Sequence, residues 1–170
     1  IFWAHDSFDF KLRSQLGKRI FYWSIFKFSN IEIVCNSRFT ARTLLENIGV
    51  SSAFVLYPII RNPSVNHSGA PHDSIRIGIC GRIAEWKGQL FAIQALEHLL
   101  STSDHIVLEI LGSPLFGDDE YFERIKNFIV DRDLSQKIIL LPFQESPENI
   151  VASWDFAIHS SILPEPFGRT

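Results

Sequence analysis

The sequence lacks several features that mark whole classes of protein. It has no methionine and only two cysteines, and Cys35 and Cys80 each lie inside an apolar run, so neither a disulfide framework nor a cysteine metal site is predicted. The histidines show no spacing typical of a zinc site. The net charge is −3 with acids and bases interspersed, which leaves no basic face for a phosphate backbone. We therefore expect no metal and no nucleic-acid partner.

Long hydrophobic runs and targeting segments are also missing. No stretch reaches the roughly 18 uncharged apolar residues that a membrane span requires. The N-terminal residues lack the charged, apolar and small-residue regions of a secretory signal. We expect a cytoplasmic protein. Because the chain begins at Ile1 and ends on motif-like sequence, we interpret it as a fragment of a longer protein.

Apolar residues make up 46% of the chain, and their arrangement predicts an α/β fold. Short β-branched runs alternate with longer segments of helical period, which is typical of βα units and a parallel sheet. Several of the runs are apolar on both faces, as expected for strands covered by helices on both sides. The predicted strands cover 1–5, 31–36, 53–58, 75–80, 106–111, 137–142 and a shorter stretch at 155–160.

The segments between these runs have the spacing of helices. Helices are predicted over 38–48, 87–101 and about 118–130, the last with acids at the positive end of its dipole. A further predicted helix, 9–29, carries an aromatic cluster beside several cations. It is either a basic amphipathic helix at a membrane surface or a helix packed against a missing half-domain, and we prefer the packing interpretation.

The segment 61–74 has the composition of a linker. It is rich in proline, glycine, serine, asparagine and histidine and contains few apolar residues. We therefore predict two incomplete α/β domains, residues 1–60 and residues 75–170, on either side of it.

The segment GICGRIAEWKGQ, 78–89, joins a predicted strand to a predicted helix and contains two cations. Open parallel sheets bind ligands at the carboxyl ends of their strands, and a helix N-terminus there attracts anions. Arg82 can donate two hydrogen bonds to phosphate oxygens and Lys87 adds a point charge, so a diphosphate fits this segment. The spacing matches neither a Walker loop nor a GxGxxG fingerprint. Alternatively, Arg82 forms a surface ion pair with Glu85 and Lys87 is solvated.

The C-terminal segment HSSILPEPFG places a carboxylate on a stiff loop after another strand. Pro164 and Pro166 restrict the backbone on either side of Glu165. A carboxylate there can accept hydrogen bonds from sugar hydroxyl groups, beside the backbone N–H groups of Phe167 and Gly168. His159 either lines the same pocket or only ends the strand.

Four segments together resemble the C-terminal domain of the family four retaining, nucleotide-sugar-dependent glycosyltransferases, which have the GT-B fold. They are GRI…WKGQ, LEILGSP, LLPFQESPENI and WDFAIHSSILPEPFG. The resemblance implies a GT-B type α/β fold with two Rossmann-like parallel-sheet domains, both incomplete. Residues 1–60 would then be the C-terminal part of the acceptor domain, and residues 75–170 the first part of the nucleotide-sugar-binding domain.

The resemblance also implies roles for individual residues. Arg82 and Lys87 would hold the donor diphosphate, and Glu165 would lie near the donor sugar with the amides of Phe167 and Gly168. The second glutamate of the family's E-x7-E motif would belong at position 173, beyond this sequence. Further candidates for the cleft wall are Gly81, Gly112, Phe143 and Ser160.

The N-terminal part resembles the same family over FWAHD and over NIEIVCNSRFTARTLLENIGV. The first stretch implies that His5 approaches the transferred sugar, which makes His5 and Glu165 the catalytic candidates. The second implies that Ser37 faces the cleft. Alternatively, His5 is a structural histidine and Ser37 caps the helix 38–48.

The resemblance implies a hexosyltransferase that moves a sugar from a UDP- or GDP-sugar to a hydroxyl of a glycan or lipid-linked acceptor. It implies retention of anomeric configuration, no metal or other cofactor, and cell-surface polysaccharide or glycolipid biosynthesis at the inner face of the membrane, with peripheral membrane contact. The alternatives are a non-catalytic or degenerate nucleotide-sugar-binding module, a GT-B epimerase or a phosphorylase. A glycosidase is disfavoured, because no second carboxylate on a comparable loop can pair with Glu165. We expect the 170-residue chain alone to be inactive.

Overall fold

The structure is a computed structural model that describes residues 2–4, 31–48, 51–57, 59, 73–115, 117–163 and 165. It divides into two compact units, Ile1–Arg61 with Glu165–Arg169 and Asn62–Pro164 with Thr170. The domain limits expected from the sequence, 1–60, 61–74 and 75–170, stay predictions. Most of the expected linker and the whole of the expected helix 9–29 lie outside the described residues.

The N-terminal unit contains a small parallel sheet and one helix. Its strands are β1 (Phe2–Ala4), β2 (Ile33–Cys35) and β3 (Phe54–Val55), and they pair in chain order. Helix α1 (Arg38–Ile48) follows β2. Ala4, Ile33, Cys35 and Leu44 are buried, whereas both residues of β3 are exposed.

The elements of the C-terminal unit are, in chain order, β4 (Ile75–Cys80), α2 (Gln89–Thr102), β5 (Ile106–Leu111), α3 (Asp119–Asp131), β6 (Ile138–Leu141), the short α4 (Glu148–Val151) and β7 (Phe156–Ala157). The strands form a parallel sheet in the order β6-β5-β4-β7.

One face of this sheet forms the hydrophobic core of the unit. In β4 and β5, alternate side chains point to that face because the side-chain period of a strand is two. They pack against the apolar side of α2 and α3, as the cluster of buried residues shows. Its members include Ile79, Ile93, Leu100, Leu108, Ile110 and Ile125. Helix α2 forms because its apolar residues recur every three or four positions, although Leu99 of that pattern is 41% exposed.

The opposite face of the sheet carries a polar cluster around Gly78. Glu109, which pairs with Gly78 across β4 and β5, is buried, and its carboxylate accepts hydrogen bonds from Arg76 Nε at 3.0 Å and from Trp154 Nε1 at 2.8 Å. The Trp154 indole lies directly on Gly78, because a Cβ built there would be 1.8 Å from Trp154 Cδ2. Asp155 Oδ2 also accepts a hydrogen bond from Arg76 N at 2.7 Å, so the residues before β7 are fixed to the start of β4.

These elements confirm the predicted α/β class with parallel sheets. The predicted strands 75–80 and 106–111 coincide with β4 and β5. The expected stretch 155–160 is a strand only at Phe156–Ala157. Among the described residues, no helix is both long and apolar enough to span a bilayer.

We expect Gly78→Ala to destabilise the protein, because the added methyl group would overlap the Trp154 ring. Overpacking of this kind lowers the free energy of unfolding by about 1–3 kcal/mol. Urea denaturation followed by circular dichroism measures the change. The control is the same substitution in a Trp154→Leu background, where the loss should be smaller because the two sites are coupled. Equal losses in both backgrounds would contradict the proposed overlap.

Candidate functional site

The strand order of the C-terminal unit reverses at β4. From β4 the chain builds outward through β5 to β6, and it then returns to the other side of β4 as β7. Open parallel sheets bind ligands at the carboxyl ends of the strands beside such a reversal. The residues at that position follow Cys80 in β4 and Ala157 in β7.

The loops after β4 and β5 lie side by side beyond the ends of the strands. Gly81 N donates to Leu111 O at 2.9 Å, and Ile83 N donates to Ser113 O at 3.1 Å. A Cβ at Gly112 would be 1.9 Å from Gly81 O, so only glycine permits this close approach. The two loops therefore hold each other in place.

The loop after β4 carries Arg82 and then forms a short 3-10 turn, Glu85–Lys87, which carries Lys87. Arg82 Cζ lies 5.6 Å and Lys87 Nζ lies 4.7 Å from the centre of the Trp86 ring. Both distances are within the range of a cation–π interaction. The structure thus brings Arg82 and Lys87 to the same indole.

Arg82 has further contacts that fix its side chain and its backbone. Its Nε lies 3.8 Å from Asp118 Oδ2, and its carbonyl oxygen accepts a hydrogen bond from Gln89 Nε2 at 2.8 Å. Gln89 is fully buried at the start of α2, and its Oε1 has no hydrogen-bond partner. Glu85, the alternative partner of Arg82 expected from the sequence, forms an ion pair with Arg124 at 3.0 Å.

One backbone N–H group in the first turn of α2 is hydrogen-bonded to a tyrosine side chain. Leu90 N donates to the hydroxyl of Tyr121, on α3, at 2.9 Å. Burial raises the pKa of Tyr121, so this hydroxyl stays protonated at neutral pH. One of the amides expected at this helix N-terminus for an anion is therefore already hydrogen-bonded within the protein.

The charge of Lys87 affects the pKa of Cys80, the last residue of β4. Burial raises the pKa of the Cys80 thiol, and the Lys87 ammonium acts in the opposite direction. Lys87 is therefore close enough to influence the end of β4 electrostatically. Cys80 stays a thiol at neutral pH and is a poor nucleophile.

The segment after β7 packs against the 3-10 turn Glu85–Lys87. Ser160 Oγ donates to Lys87 O at 2.8 Å, and Ile162 N donates to Trp86 O at 2.9 Å. Gly88 has a φ of +69°, and a Cβ there would be 2.2 Å from Ser160 O. The loops on the two sides of the reversal are thus joined at Gly88.

The structure describes three further predicted site residues, Phe143, Ser37 and Glu165. Phe143 follows β6, is 66% exposed and donates its N–H to Ser113 Oγ at 3.0 Å. Ser37 is buried in the N-terminal unit, and its Oγ accepts a hydrogen bond from Thr40 N at 3.0 Å, as a helix cap does. Glu165 is half-buried and belongs to the segment grouped with the N-terminal unit. The roles expected for these residues stay predictions.

Three predicted site residues, His5, Phe167 and Gly168, lie outside the described residues. Three residues that the sequence analysis did not single out, Trp86, Gln89 and Asp118, contact Arg82. Of these three residues, Trp86 has a signal in the sequence, because GRIAEWKGQ places an aromatic residue between two cations. Within the part of the chain that is described, no group of three or more His, Cys, Asp or Glu side chains is arranged to hold a metal ion.

We expect Gly88→Ala to lower stability more than Gly117→Ala does. Both glycines have a positive φ, +69° and +90°, but the new Cβ meets Ser160 O at position 88 and nothing within 4 Å at position 117. The left-handed backbone alone costs about 1–2 kcal/mol in each variant. Thermal unfolding of both variants gives the comparison. Equal losses would mean that the contact with Ser160 contributes nothing.

Comparison with solved structures shows that the fold of this chain is similar to that of several known proteins. Anabaena Alr3699/HepE, solved in complex with UDP and glucose, is 22% identical over 99% of this chain with a TM-score of 0.78, and the match covers 48% of that chain. A glycosyltransferase from Rickettsia africae ESF-5 is 21% identical over 92% of this chain and 44% of its own, with a TM-score of 0.69. TarM from S. aureus is 16% identical over 93% of this chain and 30% of its own, with a TM-score of 0.63.

These similarities confirm the predicted GT-B type α/β fold. The chain spans about half the length of the first of these structures. Curated protein sequences give no significant match. The family described as glycosyl transferases group 1 matches residues 61–170, which include every strand and helix of the C-terminal unit. The chain belongs to the family of glycosyl transferases group 1.

Proposed function

We propose that the protein is a retaining glycosyltransferase of the family four type, which transfers a sugar from a nucleotide-sugar to an acceptor hydroxyl. One observation carries this proposal within the glycosyl transferases group 1 family. Arg82 and Lys87 both lie within cation–π distance of the Trp86 indole, beyond the carboxyl end of β4, where the strand order reverses. This is where an open parallel sheet binds its ligand, and both groups suit a diphosphate.

The chemistry of sugar transfer requires positive charge at this position. As the bond between the sugar and the diphosphate breaks, negative charge grows on the departing phosphate oxygens. Fixed cations stabilise that charge more in the transition state than in the bound donor, so they increase the rate. Arg82 and Lys87 supply two positive charges of this kind, which supports the proposal that no metal ion is needed.

The donor is proposed to be a UDP-sugar, with a GDP-sugar as the other choice. Anabaena Alr3699/HepE, which shares the fold, has been solved with UDP and with UDP-glucose. The exposed Phe143 and the glycines Gly81 and Gly112 are proposed to line the donor cleft at the carboxyl edge of the sheet. The cleft-facing role of Ser37 stays a prediction, because its Oγ accepts the capping hydrogen bond from Thr40 N.

The sugar-facing groups are proposed to be Glu165 and His5, with the amides of Phe167 and Gly168. Glu165 would accept hydrogen bonds from the donor sugar, and the departing phosphate oxygen would take the acceptor proton on the same face, which retains the anomeric configuration. The acceptor is proposed to be a glycan or lipid-linked hydroxyl at the cytoplasmic face of a membrane, in polysaccharide or glycolipid biosynthesis.

We expect Arg82→Ala and Lys87→Ala each to weaken UDP binding. A hydrogen bond to a charged group contributes about 1.5–3 kcal/mol, so the dissociation constant should rise about 10- to 100-fold. Isothermal titration calorimetry with UDP and GDP measures it.

A matched control for these substitutions is Arg132→Ala. Arg132 also lies over an aromatic ring, Phe128 at 5.4 Å, and also pairs with a carboxylate, Glu97 at 3.3 Å. It follows the end of α3, at the opposite edge of the sheet, so UDP affinity should not change. Unchanged affinity in Arg82→Ala and Lys87→Ala would contradict the diphosphate assignment.

We expect Glu165→Gln, made in the complete protein, to reduce turnover by more than it reduces UDP affinity. The substitution keeps the size of the side chain but removes its charge, which matters most when positive charge develops on the sugar. Release of UDP from UDP-sugars measures turnover, and NMR of the product gives its anomeric configuration. Undiminished turnover would exclude the sugar-facing role, and an inverted product would exclude retention.

A further inference from the structure

Trp86 occupies the middle of the turn between β4 and α2. Its side chain is half-buried, and its carbonyl oxygen accepts the hydrogen bond from Ile162 N at 2.9 Å. Gly88 follows it closely and is fixed against Ser160. The backbone that carries the indole is therefore held from the β7 side of the strand reversal, and the ring has a defined position.

The indole attracts both cations through its π face. Indole is the strongest cation–π partner among the side chains, and each contact contributes about 0.5–2 kcal/mol, depending on how far it is desolvated. Arginine and lysine side chains lose much rotamer freedom when a ligand immobilises them. A ring that already restricts both of them reduces that loss and so favours anion binding.

A neutral ring holds cations differently from a carboxylate. Asp118 lies 3.8 Å from Arg82 Nε, but both side chains are partly exposed, at 33% and 27%, and such pairs contribute little. A close carboxylate would also cancel the charge that a diphosphate needs. The indole restricts Arg82 and Lys87 without neutralising either charge, because the ring itself is uncharged.

We propose that Trp86 is a positioning residue that holds Arg82 and Lys87 in place for the donor diphosphate. The proposal rests on the proposed function, because it requires that these two cations bind the diphosphate. Trp86 itself is not proposed to contact the reacting atoms.

A series of substitutions at position 86 tests how UDP affinity depends on the aromatic ring. UDP affinity, measured by calorimetry, should fall from the wild type to Trp86→Phe and again to Trp86→Leu, with a total loss of about fivefold to thirtyfold. Phe128→Leu is the control, because Phe128 packs against the core and lies under Arg132 rather than beside Arg82 and Lys87. It should change the unfolding temperature but leave UDP affinity unchanged.

Fluorinated tryptophan gives a readout that a merely structural role would not affect. Fluorine withdraws electrons from the indole and weakens cation–π binding with little change in shape. UDP affinity should fall stepwise with each added fluorine in the wild type and stay constant in Trp86→Phe labelled in the same way. If the unfolding temperature stays constant as fluorines are added, the loss of UDP affinity comes from weaker contacts between the indole and the two cations and not from a loss of stability.

The outcomes distinguish this inference from the proposed function. UDP affinity that does not respond to fluorination, with Arg82→Ala and Lys87→Ala still impaired, would overturn the role of Trp86 alone. A wild-type protein that binds neither UDP nor GDP would overturn both proposals. A stepwise loss that disappears in Trp86→Phe supports the positioning role.

Discussion

The candidate site depends on the pairing of β4 with a strand on each side. Because β5 and β7 both lie parallel to β4, the loops that leave Cys80, Leu111 and Ala157 emerge at one edge of the sheet. Residues far apart in the chain, such as Lys87 and Ser160, are thereby brought within hydrogen-bond distance. Ile162 N and Trp86 O form a second hydrogen bond between the same two loops, at 2.9 Å.

Part of this arrangement could be predicted from the sequence. Both β4 and β5 are apolar runs bounded by turn residues, and their limits followed directly from that pattern. Arg82 and Lys87 could be selected because a strand, a glycine and a helix start surround them. The predicted strand 155–160 is limited to Phe156–Ala157, whose two residues are exposed and pair, among the described strands, with β4 alone.

The contacts of the side chains could not be predicted in the same way. Arg82 reaches Asp118 and Tyr121 reaches Leu90 across more than thirty positions, a separation that periodicity does not encode. The sequence suggested Glu85 as a partner of Arg82, because the two residues are close in the chain. In the fold, Arg124 of α3 pairs with Glu85 at 3.0 Å, and Asp118, which immediately precedes α3, lies 3.8 Å from Arg82 Nε, so tertiary contacts determine both pairs.

The buried cluster around Glu109 explains how the edge strand β7 is held in place. Two paired residues alone bury too little apolar surface to fix a strand, and Phe156 is 61% exposed. Glu109 instead binds Arg76 and the Trp154 indole, so a misplaced β7 would leave a buried carboxylate without one of its partners. Such a loss is costly, whereas an apolar contact could slip by a residue at little cost. The polar cluster on one face of the sheet therefore sets the register of β7, and through it the position of the loop that meets Trp86 and Lys87.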